Sequence, residues 1–138
     1  MTLEEFLKDA RVKLEELEYI DNCVFHKDRV TVIKSKQEEI LNGLEEHIVD
    51  HLRDKRLHSE YLYLKGKTLD FLPEFQKEAE ELLAKAIKLR PSWHEPLNAL
   101  GHVYWKKKDF ENAEMCYRQA IEENPDDTKS LRDLSMVI

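Results

Sequence analysis

Apolar residues recur along this chain in alternating steps of three and four, the spacing that places them on one face of an α-helix. Between residues 3 and 20 they are Leu3, Phe6, Leu7, Ala10, Leu14, Leu17 and Ile20. From about Ser35 onward the second set is Ile40, Leu41, Leu44, Ile48 and Leu52. The two sets predict an antiparallel helical hairpin over residues 1–57, in which each helix covers the apolar face of the other.

The segment between these two helices lacks helical periodicity. It runs from Val24 to Ile33 and is rich in Val, Thr and Ile. Such β-branched residues fit extended backbone better than helix. We therefore expect a connector there, with a short strand as the alternative.

The second half of the chain repeats itself. Counting back 34 residues from Ala113, Tyr117, Ala120 and Pro125 gives Ala79, Leu83, Ala86 and Pro91. A fixed period of this length indicates stacked helical hairpins. We expect two repeats over residues 58–127, with helices at 58–72 and 75–90 in the first repeat and one extra residue in its turn near Pro73. Residues 128–138 then form the first helix of a third repeat, which Thr128 can cap.

The third repeat stops in its first helix, because the chain ends at Ile138. Arrays of repeats normally end in a polar capping element. We therefore expect the chain to be a fragment of a longer protein. The apolar edge formed by Leu131, Leu134 and Ile138 predicts self-association.

Composition narrows the possible functions of the chain. A formal net charge of -7 and an apolar fraction of 41% over 138 residues fit one globular unit, and an acidic chain has no general attraction to nucleic-acid phosphates. The acidic N-terminus and the short apolar runs predict neither a secretory signal nor a membrane span. We expect a cytoplasmic or nuclear protein without sequence-specific nucleic-acid binding or membrane contact, in which Cys23 and Cys116 are reduced core thiols.

The spacing Leu97, Leu100, Gly101, Tyr104, Ala113, Tyr117, Ala120 and Pro125 resembles the tetratricopeptide repeat. Residues 79–89, residues 100–107 and the Leu134-Ser135-Met136-Val137 tail resemble the tetratricopeptide repeat protein 5 (Strap) family more closely. This resemblance implies a right-handed helical solenoid, TPR repeats preceded by the N-terminal hairpin, and no cofactor. It also implies a ribosome-associated factor that recognises the N-terminal peptide of nascent tubulin and triggers tubulin mRNA decay. The alternative that it implies is a scaffold for stress-responsive transcriptional co-activator proteins.

In such repeats the first helix of each hairpin lines a concave face, and its exposed stripe is the candidate peptide-binding groove. On the second repeat the stripe is Glu95, Asn98, His102 and Trp105; on the first it is Tyr63 and Lys67; on the third it is Lys129, Arg132 and Met136. Asn can hydrogen-bond a peptide backbone, Arg can hold a carboxylate, and Trp offers an apolar wall. The alternative is that these residues form a solvated face or pack against the neighbouring repeat.

An enzymatic alternative rests on His47 and His51. They lie one helical turn apart, a spacing that can hold zinc, as a metallo-hydrolase would require. The sequence offers no evident third ligand, so we expect no metal, no cofactor and no catalysis.

Two basic clusters leave a further alternative open. Lys106, Lys107 and Lys108 form one, and Arg53, Lys55 and Arg56 form the other. Placed cations can contact ribosomal RNA phosphates, but a soluble turn between helices has the same composition.

Overall fold

The computed structural model describes residues 3–22, 29–46 and 55–138, and the regular elements in these ranges are all helical. They are α1 Leu3–Asn22, α2 Arg29–Glu46, α3 Lys55–Leu69, α4 Gln76–Leu89, α5 His94–Lys106, α6 Phe110–Glu123 and α7 Thr128–Val137. A short 3-10 turn, Pro73–Phe75, precedes α4 and breaks the chain where Pro73 predicted a break. The all-α fold class predicted from the periodicity is confirmed.

Successive helices pack as hairpins that stack in sequence order. α1 packs on α2, α3 on α4, and α5 on α6. Each hairpin then contacts the first helix of the next, because α2 and α1 pack on α3, α4 packs on α5, and α6 packs on α7. This arrangement is a helical solenoid, in which each unit is stabilised mainly by its neighbours.

In each of the two repeats, a glycine allows the two helices of the hairpin to approach each other closely. A methyl group on Gly101 would lie 2.6 Å from Cε1 and 2.8 Å from Cδ1 of Tyr117, whose ring is buried between α5 and α6. The same group on Gly66 would lie 2.9 Å from Cγ of Leu83 and 3.3 Å from the carbonyl oxygen of Ala79. A larger residue at either position would force Tyr117 or Leu83 to shift, so the small residues of the repeat pattern allow each hairpin to close tightly.

The N-terminal hairpin differs from the expected one at its second helix. α2 begins at Arg29, so the prediction of a connector is wrong for residues 29–33, and the remainder of that segment lies outside the described residues. Ile33, Gln37 and Ile40 are buried at helical spacing. Burial of this face therefore outweighs the β-branched preference of the segment. Ile48 and Leu52, predicted to extend the helix, also lie outside the described residues.

Aspartates begin the last two helices. Lys108 takes a left-handed backbone conformation with φ of 64° in the turn after α5, and Asp109 then accepts a hydrogen bond from the Asn112 backbone N–H at 3.3 Å. At α7 the capping residue is Asp127, which accepts from the backbone N–H of Ser130 at 3.1 Å. The cap predicted at Thr128 is wrong by one residue, because Thr128 is already helical.

The last helix leaves apolar side chains uncovered. Leu131 is 46% exposed and Ile138 is 73% exposed. Together these side chains form an exposed apolar edge on α7. Self-association through this edge stays a prediction.

In the three described ranges, no helix combines the length and apolarity needed to cross a membrane.

Replacing Gly101 by Ala will destabilise the protein by about 1 to 2 kcal/mol, because the added methyl overpacks the interface with Tyr117. This loss occurs although Ala is the better helix former by about 1 kcal/mol. Urea unfolding followed by circular dichroism measures the change. Gln119→Ala on the exposed face of α6 is the control, expected within about 0.5 kcal/mol of wild type; a Gly101→Ala variant as stable as that control would contradict the close-packing argument.

Candidate peptide-binding groove

Two adjoining grooves run along the first helices of the hairpins. The larger, about 360 Å³, lies between α5 and α7, and we call it the α5–α7 groove. The smaller, about 260 Å³, lies among α1, α3 and α5, and we call it the α1–α3 groove. The eight residues predicted from the sequence line one or both: Tyr63, Lys67, Glu95, Asn98, His102, Trp105, Lys129 and Arg132. The structure therefore brings the predicted stripe together, and its role in binding stays a prediction.

The exposed part of the α5–α7 groove is formed by aromatic, basic and apolar side chains. The rings of His102 and Trp105 stack with centroids 5.8 Å apart. Opposite them on α7, the Arg132 side chain is 70% exposed and Met136 is 61% exposed. A peptide lying in this groove would meet an aromatic wall on one side and an exposed cation with an apolar neighbour on the other.

A buried carboxylate supports the aromatic wall. Asp70, at the end of α3, is 3.1 Å from His102 Nδ1 and 3.3 Å from Lys106 Nζ through its Oδ2 atom. Lys106 also donates to the backbone carbonyl of Asp70 at 2.7 Å. These contacts tie the turn after α3 to α5, so Asp70 orients the side chains of the groove. Sequence reasoning missed it because its role depends on the helix that follows.

Asn98 is buried, contrary to the expectation that it lies in an exposed stripe. Its side-chain N–H donates to Ser130 Oγ at 3.0 Å and to Asp133 Oδ2 at 3.2 Å. Both acceptors are on α7, so the amide fastens two successive repeats together. The alternative interpretation from the sequence, packing against the neighbouring repeat, is correct for this residue.

The same contact continues through a polar network at the start of α7. Ser130 Oγ donates to Asp127 Oδ2 at 2.6 Å, and His94 Nδ1 donates to the same oxygen at 2.9 Å. Asn124 Nδ2 lies 3.2 Å from the other ring nitrogen of His94. Burial raises the pKa of Asp127, but the hydrogen bonds from Ser130 and His94 outweigh it and hold the pKa below its usual value. The carboxylate is therefore part of the packing between α5 and α7.

Tyr63 is also buried rather than exposed. Its ring packs edge-on against Trp93 with centroids 5.0 Å apart, and the guanidinium of Arg11 lies 5.6 Å from its centroid. Burial, with a contribution from Glu95, raises the pKa of the Tyr63 phenol far above its usual value. Tyr63 therefore forms the floor of the α1–α3 groove and is neutral.

Helix α1 supplies groove residues that sequence reasoning missed, and Arg11 and Glu18 are the two with ion pairs to the repeats. Arg11 reaches α5, where its Nη1 atom lies 2.5 Å from Glu95 Oε2. Glu18 reaches α3 and α7, with its Oε1 atom 2.5 Å from Lys67 Nζ and 3.8 Å from Lys129 Nζ. Both residues lie beside the apolar seam of α1. They are seven residues apart, a spacing from which the sequence predicts that they share one flank of that helix. The sequence did not show that this flank faces the repeats.

The basic clusters are mostly engaged within the protein. Lys106 is held by Asp70, and Lys107 pairs with Glu80. Arg56 pairs with Glu4 of α1 at 3.1 Å, while Arg53 lies outside the described residues. These pairings favour the interpretation of solvated turns over that of a phosphate-binding surface.

The residues proposed for other chemistry fall into two groups. His47, His51 and Cys23 lie outside the described residues, and among those described no group of three or more metal-binding side chains occurs. Cys116 is buried in α6, and burial together with Asp109 and Glu80 raises the pKa of its thiol to about 11. Such a thiol stays protonated near neutral pH, as a core residue would.

Comparisons with known proteins agree with this geometry. The family model for the tetratricopeptide repeat matches residues 94–127. Tetratricopeptide repeat protein 5 of Homo sapiens is 35% identical over 147 residues, which cover 98% of this chain and 32% of that protein. The N-terminal acetyltransferase A complex auxiliary subunit NAA15 of Arabidopsis thaliana is 35% identical over 80 residues, covering 58% of this chain and 9% of that protein.

A solved structure shows the same fold. The C-terminal TPR-containing domain of an FK506-binding protein from Plasmodium falciparum superposes with a TM-score of 0.55 over 99% of this chain and 91% of that chain, at 18% identity. The chain therefore belongs to the class of tetratricopeptide-repeat proteins, whose stacked hairpins form protein-interaction surfaces. Within that class it is related to tetratricopeptide repeat protein 5, which confirms the resemblance seen in its motifs. The chain spans about a third of the length of that relative.

Replacing Asn98 by Ala will destabilise the protein by about 1 to 3 kcal/mol, because the change leaves buried polar groups of α7 without their donor. Urea unfolding provides the measurement. Arg132→Ala is the control, because this exposed side chain lies 3.8 Å from Asp133 and contributes little to packing. Equal stabilities of the two variants would contradict the assignment of Asn98 to packing.

The contribution of Asp127 to the free energy of unfolding will decrease as the pH becomes acidic. Folding lowers the pKa of the Asp127 carboxyl from its unfolded-state value near 3.8. The charged carboxylate therefore stabilises the protein at pH values above 3.8, and this contribution is lost as the pH falls through the pKa of the folded state. We expect Asp127→Asn to cost about 1 to 2 kcal/mol at pH 7, and the cost to shrink toward zero below pH 3.8. Urea unfolding at a series of pH values measures it. Asp126→Asn, on the exposed side of the turn, serves as the matched control; a cost for Asp127→Asn that stays constant with pH would refute the charge-based account.

Proposed function

We propose that this chain is a non-enzymatic module that binds an extended peptide in the α5–α7 groove. One observation carries the proposal: exposed aromatic, basic and apolar side chains of two successive repeats converge on this groove, as the placement of His102, Trp105, Arg132 and Met136 shows. A peptide backbone in this position could gain hydrogen bonds and apolar contact at once. Stacked helical hairpins commonly use such extended concave surfaces for binding.

We propose further that the peptide is the N-terminal segment of nascent tubulin, bound at the ribosome so that tubulin mRNA is degraded. Support for this finer function comes from the relation to tetratricopeptide repeat protein 5 and from the resemblance of residues 79–89, 100–107 and 134–137 to that family. A cytoplasmic location follows from this proposal.

The alternative is a scaffold for transcriptional co-activators in the nucleus. The observation that favours it lies outside the groove. Phe110 and Met115 on α6 are 47% and 54% exposed, and large exposed apolar side chains suit docking of a folded protein. A scaffold of this kind would use the outer helices of the hairpins as well as the groove.

Peptide binding is testable with a fluorescein-labelled synthetic peptide from the N-terminus of β-tubulin and fluorescence anisotropy. We expect Arg132→Ala to weaken binding about tenfold, the usual loss when one charged partner is removed from an interface. Arg118→Ala is a matched control, since Arg118 is exposed on α6 and pairs with Glu114 at 2.8 Å. Equal affinities of the wild type and the Arg132→Ala variant would contradict the groove assignment.

The two cellular roles are distinguished by sequencing the ribosome-bound messages that co-purify with the protein from cells. Enrichment of tubulin messages supports the first role, and its loss in an Arg132→Ala variant links that role to the groove. Recovery of co-activator proteins without tubulin messages would favour the scaffold.

A further inference from the structure

Two ammonium groups share one carboxylate at the point where the two grooves meet. The residues that line both grooves are Glu18, Lys67, Asn98 and Lys129. Glu18 Oε1 is the oxygen nearest both cations, 2.5 Å from Lys67 Nζ and 3.8 Å from Lys129 Nζ. A peptide that extends from one groove into the other must pass this junction.

Of the four residues that line both grooves, Lys67 and Lys129 are cations and Glu18 is the one carboxylate, although the chain as a whole is acidic at -7. The grooves hold further carboxylates, most of which have other partners: Arg11 holds Glu95, and Asp133 accepts from Asn98 at 3.2 Å and lies 3.8 Å from Arg132. Burial and the neighbouring Lys67 lower the pKa of Lys129, as expected where positive charge is in excess. An added anion would relieve this excess.

Glu18 lies on a different part of the fold from the two lysines with which it pairs. It projects from α1, whereas Lys67 and Lys129 project from the repeat helices α3 and α7. Its side chain is 32% exposed and Lys129 is 47% exposed, so both are accessible from the groove. A partly exposed ion pair contributes little net stability, because water competes for both partners. A carboxylate from a ligand could therefore displace Glu18 at small cost.

We propose that the junction binds an acidic side chain of the peptide between Lys67 and Lys129, and that Glu18 competes with it for these two cations. This inference rests on the proposed function and names the chemistry of its ligand. Glu18 thereby becomes a specificity-determining residue, since only a peptide that offers its own carboxylate gains from displacing it. A neutral peptide would find both cations already engaged with Glu18.

The same helix predicts a second feature of the ligand. Lys129 and Met136 are seven residues apart on α7, which is about 10 Å along the helix axis. An extended peptide covers that distance in about three residues. Met136 and Trp105 are among the apolar groups that line the α5–α7 groove. We therefore expect the ligand to carry an apolar side chain two to four positions from its acidic one.

The test uses the 138-residue chain and an array of synthetic decapeptides, each made in a pair with Glu or Gln at one position. Wild type will retain the Glu member of the binding pairs about tenfold more tightly than the Gln member. Lys129→Gln will abolish this preference and Lys129→Arg will keep it. Glu18→Gln will bind the Glu members more tightly than wild type does, because the internal competitor is gone.

Matched controls come from an ion pair on the opposite side of α1. Glu16 Oε2 lies 3.5 Å from Lys36 Nζ of α2, and neither residue lines a groove. Glu16→Gln and Lys36→Gln should bind like wild type, and thermal unfolding of every variant checks that it is folded. Equal binding of Glu and Gln members by the wild type would overturn the inference and leave peptide binding standing. Binding of no decapeptide at all would overturn both.

Discussion

The close approach of two helices at Gly101 is the constraint on which the rest of the structure depends. The ring of Tyr117 lies 2.6 Å from where the Cβ atom of a larger residue 101 would lie, so α5 and α6 pack against each other through a position without a side chain. Gly66 and Leu83 impose the same condition on α3 and α4. Because each hairpin closes to a fixed distance, the first helices of successive hairpins lie side by side, and the grooves run between them.

Within this frame, most charged groups of the grooves are already paired inside the protein. Asp70 holds His102 and Lys106, and Arg11 holds Glu95. A ligand would gain little from a cation that already has a carboxylate to itself, since both pairings exchange water for the same kind of contact. The cations left for a ligand are those that are exposed, such as Arg132, or that share one carboxylate, as Lys67 and Lys129 share Glu18.

The sequence predicted the hairpins of the repeats well, because the small and large residues at helical spacing fix which faces meet. The eight residues of the predicted stripe also line the two grooves, since an i, i+3, i+4 stripe on each first helix must lie on one face. The sequence failed at α2, where burial of Ile33 overrides the preference of a β-branched segment. It also missed Glu18, because the orientation of α1 toward α3 and α7 is a long-range feature that no local pattern contains.

The stripe itself could not be divided into binding and packing residues from its spacing, and the structure shows why. In a solenoid, the groove-facing side of each hairpin's first helix also lies beside the first helix of the following hairpin. Two adjacent residues of one stripe can therefore face different surroundings, one the groove and the other the packed helix. Asn98 points toward Ser130 and is buried from solvent. The side chain of His102, one turn later, is 44% exposed beside Trp105. The buried network from Asn98 through Ser130 to Asp127 and His94 fixes the position of α7 against α5. The width of the α5–α7 groove is thus determined by a polar packing contact, through which Asn98 fixes where Lys129 and Arg132 lie along the groove.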